Sequence, residues 1–231
     1  MPSDESTIYA HARDGYIRSS NTFWTSARNG SAEYANSSAT GLTQNASALL
    51  SAARGGGTYY VYRSFMYFDT SGITEPVYRA YISLRGYTSS TGDSMVVLAD
   101  NFGNLDSSDY NGIVGWSTSG TDGSGGGDNS GNITNLLQSS IGVTQAGVIT
   151  TWNTSGYNNL FLNGYACDYI FNNDIMYIAI LNYDYDIKDV APTDETGKIG
   201  FYHADYTGTS RDPKLTYTLA NDPALFFVGG I

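Results

Sequence analysis

The chain of 231 residues has one cysteine, two histidines and five prolines, and only 14% of its residues are charged. A single cysteine, Cys167, excludes an intrachain disulfide. Two histidines, His11 and His203, cannot build a multi-histidine zinc centre, and no HExxH pair is present. Apolar runs such as "IMYIAIL" are far too short to cross a bilayer, so no membrane insertion is expected. The start, "MPSDESTIYAHARDG", has neither a basic region nor an apolar core and does not read as a signal peptide. Cations are scarce as well. The net charge is −11 with a pI near 4.3, which disfavours phosphate backbones and argues against nucleic acid as a partner.

What is abundant is tyrosine, with 20 residues, and glycine, with 27. Aromatic and β-branched runs alternate with polar turns along the whole chain, a pattern of many short strands. Real helix is nearly absent from the pattern. The expected fold is all-β: one antiparallel jelly-roll β-sandwich over residues 1–220 with at most one or two short helices. "STIYAHARDGYIRSS" contains Asp14-Gly15, a two-residue hairpin signal. "NITNLLQSS" places Ile133, Leu136 and Leu137 at helical spacing behind Asn132 as N-cap, which predicts a short helix. "GYACDYIF" and "DIMYIAILNYDYDI" read as strands, and Cys167 in the first as a buried, inert thiol. Residues 117–131 form a polar, glycine-rich loop. The last segment, 221–231, opens with the break "NDP" and carries Leu225, Phe226, Phe227, Val228 and Ile231. Such an apolar end must be buried, on its own domain or on another chain, and is expected to serve as a docking tail.

"TYYVYRSFMYFD" is apolar on both alternating faces, Val61, Phe65 and Tyr67 on one, Tyr60, Tyr62, Met66 and Phe68 on the other. Such a strand needs cover on both sides, the second from a loop or a neighbouring subunit. Arg63 and Asp69 lie in phase but about 20 Å apart at ~3.3 Å per residue, too far to pair. Asp69 is therefore expected to cap the adjoining "TSG" turn, and Arg63 to lay its stem over aromatics and find a carboxylate on a neighbouring strand.

Catalytic motifs are missing. "GWSTSG" lacks the spacing of a nucleophile elbow, and "GSGGGDNSG" has no lysine and matches neither a P-loop nor a dinucleotide fingerprint. Asp184 and Asp186, two apart, would share one face of a strand and are the only carboxylate pair that can be named. No enzyme activity and no cofactor are expected. Calcium is the ion whose ligands the sequence offers, from Asp122 and Asp128 in the glycine loop or from Asp184, Asp186 and Asp189, and a plain flexible loop is the competing account. The clustered aromatics Tyr59, Tyr62, Trp116, Tyr183 and Tyr185 are candidates for stacking on sugars, against cross-strand packing as the alternative.

Three stretches carry a family resemblance. "YRSFMYFDTSGI" with "VYRAYISLRGY" (Arg63, Phe68, Asp69, Ala80, Leu84), "TTWNTSGYNNLFL" (Trp152) and "IGFYHADYTGTSRDPKLTYTL" (Phe201, Tyr202, Asp205, Pro213, Leu215) resemble DNRLRE-type domains. The resemblance implies a jelly-roll sandwich, found in some cases as a carbohydrate-binding module of secreted enzymes and in others in phage structural proteins. It makes Arg63, Asp69, Trp152 and Pro213 structural positions. A departure from the secreted form is expected, since the sequence reads without a signal peptide or an enzyme domain and carries the glycine loop and apolar tail. The expectation is a non-enzymatic virion protein, a capsid decoration or fibre component, made in a host cytoplasm, contacting other virion proteins, further copies of itself and glycans. The alternative is a secreted or surface-attached, extracellular carbohydrate-binding module.

Overall fold

The computed structural model describes residues 5–36, 46–51, 57–90, 92–118, 127–139, 144–145, 147–193, 198–204 and 208–220. The C-terminal tail, Asp122 and Asp205 lie outside the described residues. In chain order the elements are β1 (Ser6–Tyr9), β2 (Gly15–Asn21), α1 (Trp24–Asn29), β3 (Tyr34–Asn36), β4 (Ala46–Ser51), β5 (Thr58–Asp69), β6 (Val77–Ser89) and β7 (Ser94–Leu98). They continue with β8 (Thr144–Gln145), β9 (Val148–Ile149), β10 (Tyr157–Phe161), α2 (Gly164–Asn172), β11 (Ile175–Asn182), β12 (Lys198–Phe201) and β13 (Lys214–Leu219).

All pairings are antiparallel, and they form two sheets, an all-β sandwich with few short helices. The first sheet runs β1-β13-β6-β10. The second is organised by β5, whose length of 12 residues lets it pair with β2 along one edge and with β4 and then β11 along the other. β7 and β9 extend it beyond β11. β6 joins both sheets: Val77 to Arg85 pair with β13 and β10, and Gly86 to Ser89 pair with β12. At the crossing point Gly86 is required by contact, since a Cβ there would lie 2.2 Å from the Asn153 carbonyl oxygen and 2.7 Å from Trp152 Nε1. Trp152 closes over this crossing, donating from Nε1 to the Gly200 carbonyl at 3.3 Å.

β5 has cover on both faces. Met66 and Phe68 point into the core between the sheets with Ile82, Leu84, Ile178 and Ile180. Val61, Phe65 and Tyr67 point the other way, into a second core roofed by α1, by the segment from Phe102 to Trp116, and by the chain after β11. A loop layer on the far face explains why the strand is apolar throughout. Each large side chain so buried contributes about 1.5–3 kcal/mol.

Four local expectations are corrected. Asp14-Gly15 makes no hairpin: β1 pairs with β13 and β2 with β5, so residues 10–14 cross between sheets. Asp14 is buried there and accepts a bond from the Ala204 amide at 2.9 Å. "NITNLLQSS" forms no helix; Asn135 and Leu137 make isolated bridges to Val97 and Leu162 instead. Its apolar residues serve both cores, Leu136 inward and Ile133 outward, which a helix could not do. "GYACDYIF" is the helix α2, capped by the Asn163 side chain, which accepts from the Ala166 amide at 3.0 Å. Finally, β11 ends at Asn182, and Tyr183–Ile187 is one π-helical turn rather than more strand.

Candidate functional site

The π-helical turn decides where the carboxylates go. Asn182 caps it by accepting from the Tyr185 amide at 2.8 Å. Asp186 then turns into the outer core, fully buried, and Asp184 turns outward and pairs with Lys188 at 2.9 Å. The expected same-face pair of Asp184 and Asp186 therefore does not exist: a turn with more than four residues separates side chains that a strand would align.

Asp186 meets Arg63, which β5 presents on its outer face. Arg63 donates to Asp186 from Nε and from Nη2, both at 2.8 Å, in a two-pronged pair. Its Nη1 donates to the Tyr110 carbonyl at 2.8 Å and to Asn111 Oδ1 at 2.9 Å, and Nη2 also reaches the Arg28 carbonyl at 2.9 Å. These are five bonds for five donors. The rings of Tyr110 and Trp116 flank the guanidinium, each centroid 4.1 Å from Cζ. Burial pulls the Arg63 pKa down, but the Asp186 charge, Tyr110 and the hydrogen bonds to Asp186 more than offset it, so the group stays charged.

A second buried cation, Arg28 of α1, completes the cluster. Its Nε donates to the Asp186 carbonyl at 2.5 Å, and its Nη2 to the Gly127 carbonyl at 2.9 Å and the Ile187 carbonyl at 3.3 Å. Asp189 lies 3.5 Å from Nη1 and also accepts from Trp24 Nε1 at 2.8 Å. Asp189 sits at φ 57°, a left-handed conformation rare outside glycine, and these two contacts hold it there. Burial lowers the Arg28 pKa, against which Asp186 and Asp189 act. Two arginines face two aspartates, so the centre is close to neutral. It ties together β5, α1, the 3-10 turn Ser107–Asn111, Trp116 and the chain after β11.

The base of the glycine loop is fixed to the same centre. Buried Asn129 accepts from the Ser117 amide at 2.9 Å and donates to the Ser117 carbonyl at 3.1 Å, imitating a strand partner. Gly115, at φ 85°, allows the turn that lays Trp116 over Arg63; a Cβ there would meet the Asn132 carbonyl oxygen at 2.1 Å. Neither Asn129 nor Gly115 has a sequence signal beyond its polar or glycine-rich surroundings.

The sugar candidates fall into two groups. Tyr59, Trp116, Tyr183 and Tyr185 are half-buried against the outer core. Tyr59 meets Trp24 edge-on at 5.7 Å, and Tyr183 lies under Lys188 Nζ at 4.2 Å. Tyr62 lies on the opposite face, 5.8 Å from the Tyr16 ring. Among the described residues the aromatics most open to solvent are others, namely Phe23, Tyr78, Tyr165, Tyr9 and Tyr34. Tyr16, Tyr34 and Tyr62 form a ring cluster beside Arg18, whose guanidinium lies 5.5 Å from the Tyr34 centroid.

Asp128 is exposed and accepts from the Ser130 amide at 2.8 Å. Asp186, with both oxygens on Arg63, is not available to a cation. Among the described residues no three His, Cys, Asp or Glu side chains gather closely enough to hold a metal ion. Asp69 accepts from the Ser71 amide at 3.1 Å and its hydroxyl at 2.6 Å, the turn cap. Pro213 is buried and its carbonyl accepts from the Ala10 amide at 3.0 Å. Cys167 is buried in α2, and burial pushes its thiol pKa up, away from the reactive thiolate.

No protein-family model matches the chain, and no curated protein matches it.

Proposed function

We propose that the chain is a non-enzymatic structural protein of a phage particle, a capsid decoration or a fibre component, that works by packing rather than by chemistry. The observation that supports this is the commitment of Arg63 and Asp186. All five donors of the one and both oxygens of the other are consumed inside the protein, joining β5, α1, the Ser107–Asn111 turn and the chain after β11 beneath a loop layer. A buried pair of this kind holds loops in one arrangement, at the expense of any acid, base or ligand role. The resemblance of the quoted segments to DNRLRE-type domains agrees with this reading. Mass spectrometry of gradient-purified particles tests it. The chain should co-purify in many copies per particle; its absence from intact particles sinks the assignment.

A second reading, a sugar-binding module, is favoured by the cluster of Tyr16, Tyr34 and Tyr62 with Arg18 at the edge of the second sheet. Tyrosine faces stack on sugar rings, and an adjacent guanidinium can donate to hydroxyls. A glycan array at millimolar sugar with calcium present would show binding that Tyr34→Ala removes. A blank array would leave the packing role as the whole function.

A further inference from the structure

The charges of the chain are sorted by side. Residues 86–187 hold ten aspartates and no lysine, arginine or histidine. The segment from Phe102 to Trp116, which roofs the outer core, comes from this stretch. On and beside that roof, Asp100 and Asp106 are exposed and Asp109 is half-buried. None of the three is within ion-pair reach of a cation among the described residues. Asp106 accepts from the Ser108 amide at 2.7 Å and its hydroxyl at 2.6 Å, and these bonds hold its pKa down and keep it ionised. Arg13 also reaches this side, donating to the Gly103 carbonyl at 3.4 Å.

The outer face of the first sheet has the opposite character. Residues paired directly across an antiparallel ladder share a face. Tyr9, Lys214, Ser83 and Asn159 therefore form one row, and Arg85 and Tyr157 the next. Their strand neighbours Ile82, Leu84, Leu160 and Leu215 point into the core, so both rows face away from it. Lys214 and Arg85 are diagonal neighbours, about 7–8 Å apart at the backbone. Lys214 Nζ lies 4.4 Å from the centre of the Tyr157 ring and 5.7 Å from that of Tyr9. Neither Lys214 nor Arg85 is within ion-pair reach of a carboxylate among the described residues. Glu5 reaches this face but is engaged by Arg79 Nη2 at 3.0 Å and by the Tyr81 hydroxyl at 3.0 Å. Asp212, just before β13, is buried. Ser83 donates to Asn159 Oδ1 at 2.8 Å, which leaves the exposed Asn159 its NH2 group as a further donor.

We propose that this face docks on the acidic roof of a second copy of the chain, with Lys214 and Arg85 of one copy against Asp100, Asp106 and Asp109 of the next. The two surfaces lie on opposite sides of the sandwich, the roof over the second sheet and the donors outside the first. The contact is therefore head-to-tail, and it repeats until it closes into a ring or runs on as a stack. Charge complementarity acts at contact range, whereas at about 0.15 M salt charges farther apart than ~8 Å are screened, which weakens the repulsion from the net charge of −11. Tyr9 and Tyr157 add the aromatic area that interfaces favour. The contact is between copies in solution and does not require the particle assignment.

Two variants of the full chain separate the two surfaces. Arg85→Gln with Lys214→Gln neutralises the donor face. Asp100→Lys with Asn104→Lys reverses the roof and leaves the Asp106 cap in place. Mass would be measured by light scattering at protein concentrations up to about 1 mM. The parent should assemble at about 0.1 M salt, where charges act over ~10 Å, and fall to the 24.9 kDa monomer at about 1 M, where they act over ~3 Å. Each variant alone should stay monomeric. An equimolar mixture of the two should form a dimer and nothing larger, because one intact donor face and one intact roof remain. A parent that is monomeric at the lower salt would overturn the proposal and leave the donor face to a different acidic partner. Assembly that survives the higher salt, assembly of either variant alone, or a mixture that stays monomeric would overturn it as well. Circular dichroism matching the parent shows that the variants are folded; if a double change unfolds the chain, Arg85→Gln or Asp100→Lys alone carries the same test.

Discussion

The two faces of β5 bury similar side chains in different ways. On the inner face, Met66 and Phe68 meet the side chains of a second sheet, and regular strands supply most of their neighbours. On the outer face, Val61, Phe65 and Tyr67 share their layer with Arg63, fully buried, and the cover consists of α1, turns and loops. Regular strands satisfy their own backbone groups and can be roofed with hydrocarbon alone. Loops and turns bring carbonyls inward, at Arg28, Tyr110, Asp186 and Gly127, and these need donors. The two arginines are those donors. The outer core holds paired charges because it is roofed with irregular chain.

The sharpest way to break that contrast is Asp186→Ala. It leaves Arg63 without its counter-ion in a buried site and should cost about 3–5 kcal/mol, read as a lower urea midpoint. The pair Arg63→Met with Asp186→Leu should recover part of that loss but leave the Tyr110 and Arg28 carbonyls unsatisfied, so it should not restore the parent. Full restoration would mean the carbonyls do not need the guanidinium. On the inner face, Phe68→Ala should cost a similar or slightly smaller amount, about 3–5 kcal/mol, through a cavity alone. Repacking it with a residue of like volume should rescue it, as no charge is involved.

A third test concerns a polar side chain buried on the sheet-on-sheet side. His203 is fully buried, stacks on Phe201 at 5.3 Å and finds no hydrogen-bond partner among the described residues; the Asp14 carboxylate lies 3.7 Å away. Burial lowers its pKa to about 4 from 6.5. The unfolded chain takes up a proton below pH 6.5 and the folded chain only near pH 4. The contribution is therefore complete above pH 6.5 and is lost as the pH falls, by about 3 kcal/mol in total. Stability should fall by about that much more in the parent than in His203→Phe when denaturation curves at neutral pH are compared with curves near pH 4. Equal differences would show that the histidine is charged or hydrated in the fold. The smallest effect is expected at the exposed end of β5, where Asp69→Ala removes the bonds to Ser71 and should cost about 0.5–1.5 kcal/mol.

Much of the inner architecture was legible. Period-two alternation in "TYYVYRSFMYFD" separates the side chains by core as the structure does, and it implies cover on both sides. The Asp69 cap was legible because its partners lie two residues away. Local signals misled where a distant contact outweighed them. Asp14-Gly15 has hairpin chemistry, yet Asp14 is held by Ala204, 190 residues on. α2 is written in Tyr, Ile and Phe, whose β propensity hid a helix; only Asn163 as a cap announced it. The site was half legible. Arg63 needs an anion by elementary electrostatics, but its partner is set by a π-helical turn 123 residues away that no local pattern marks.

By itself, then, the sequence determined the class of fold, the two-sided burial of β5 and the need of a buried cation for a carboxylate, because alternation, turn chemistry and desolvation act within a few residues. Tertiary structure alone decided which carboxylate that is, that Asp184 and Asp186 part company, and which tyrosines face water. Those depend on which distant segments roof the outer face, and a roof made of loops carries no period to read.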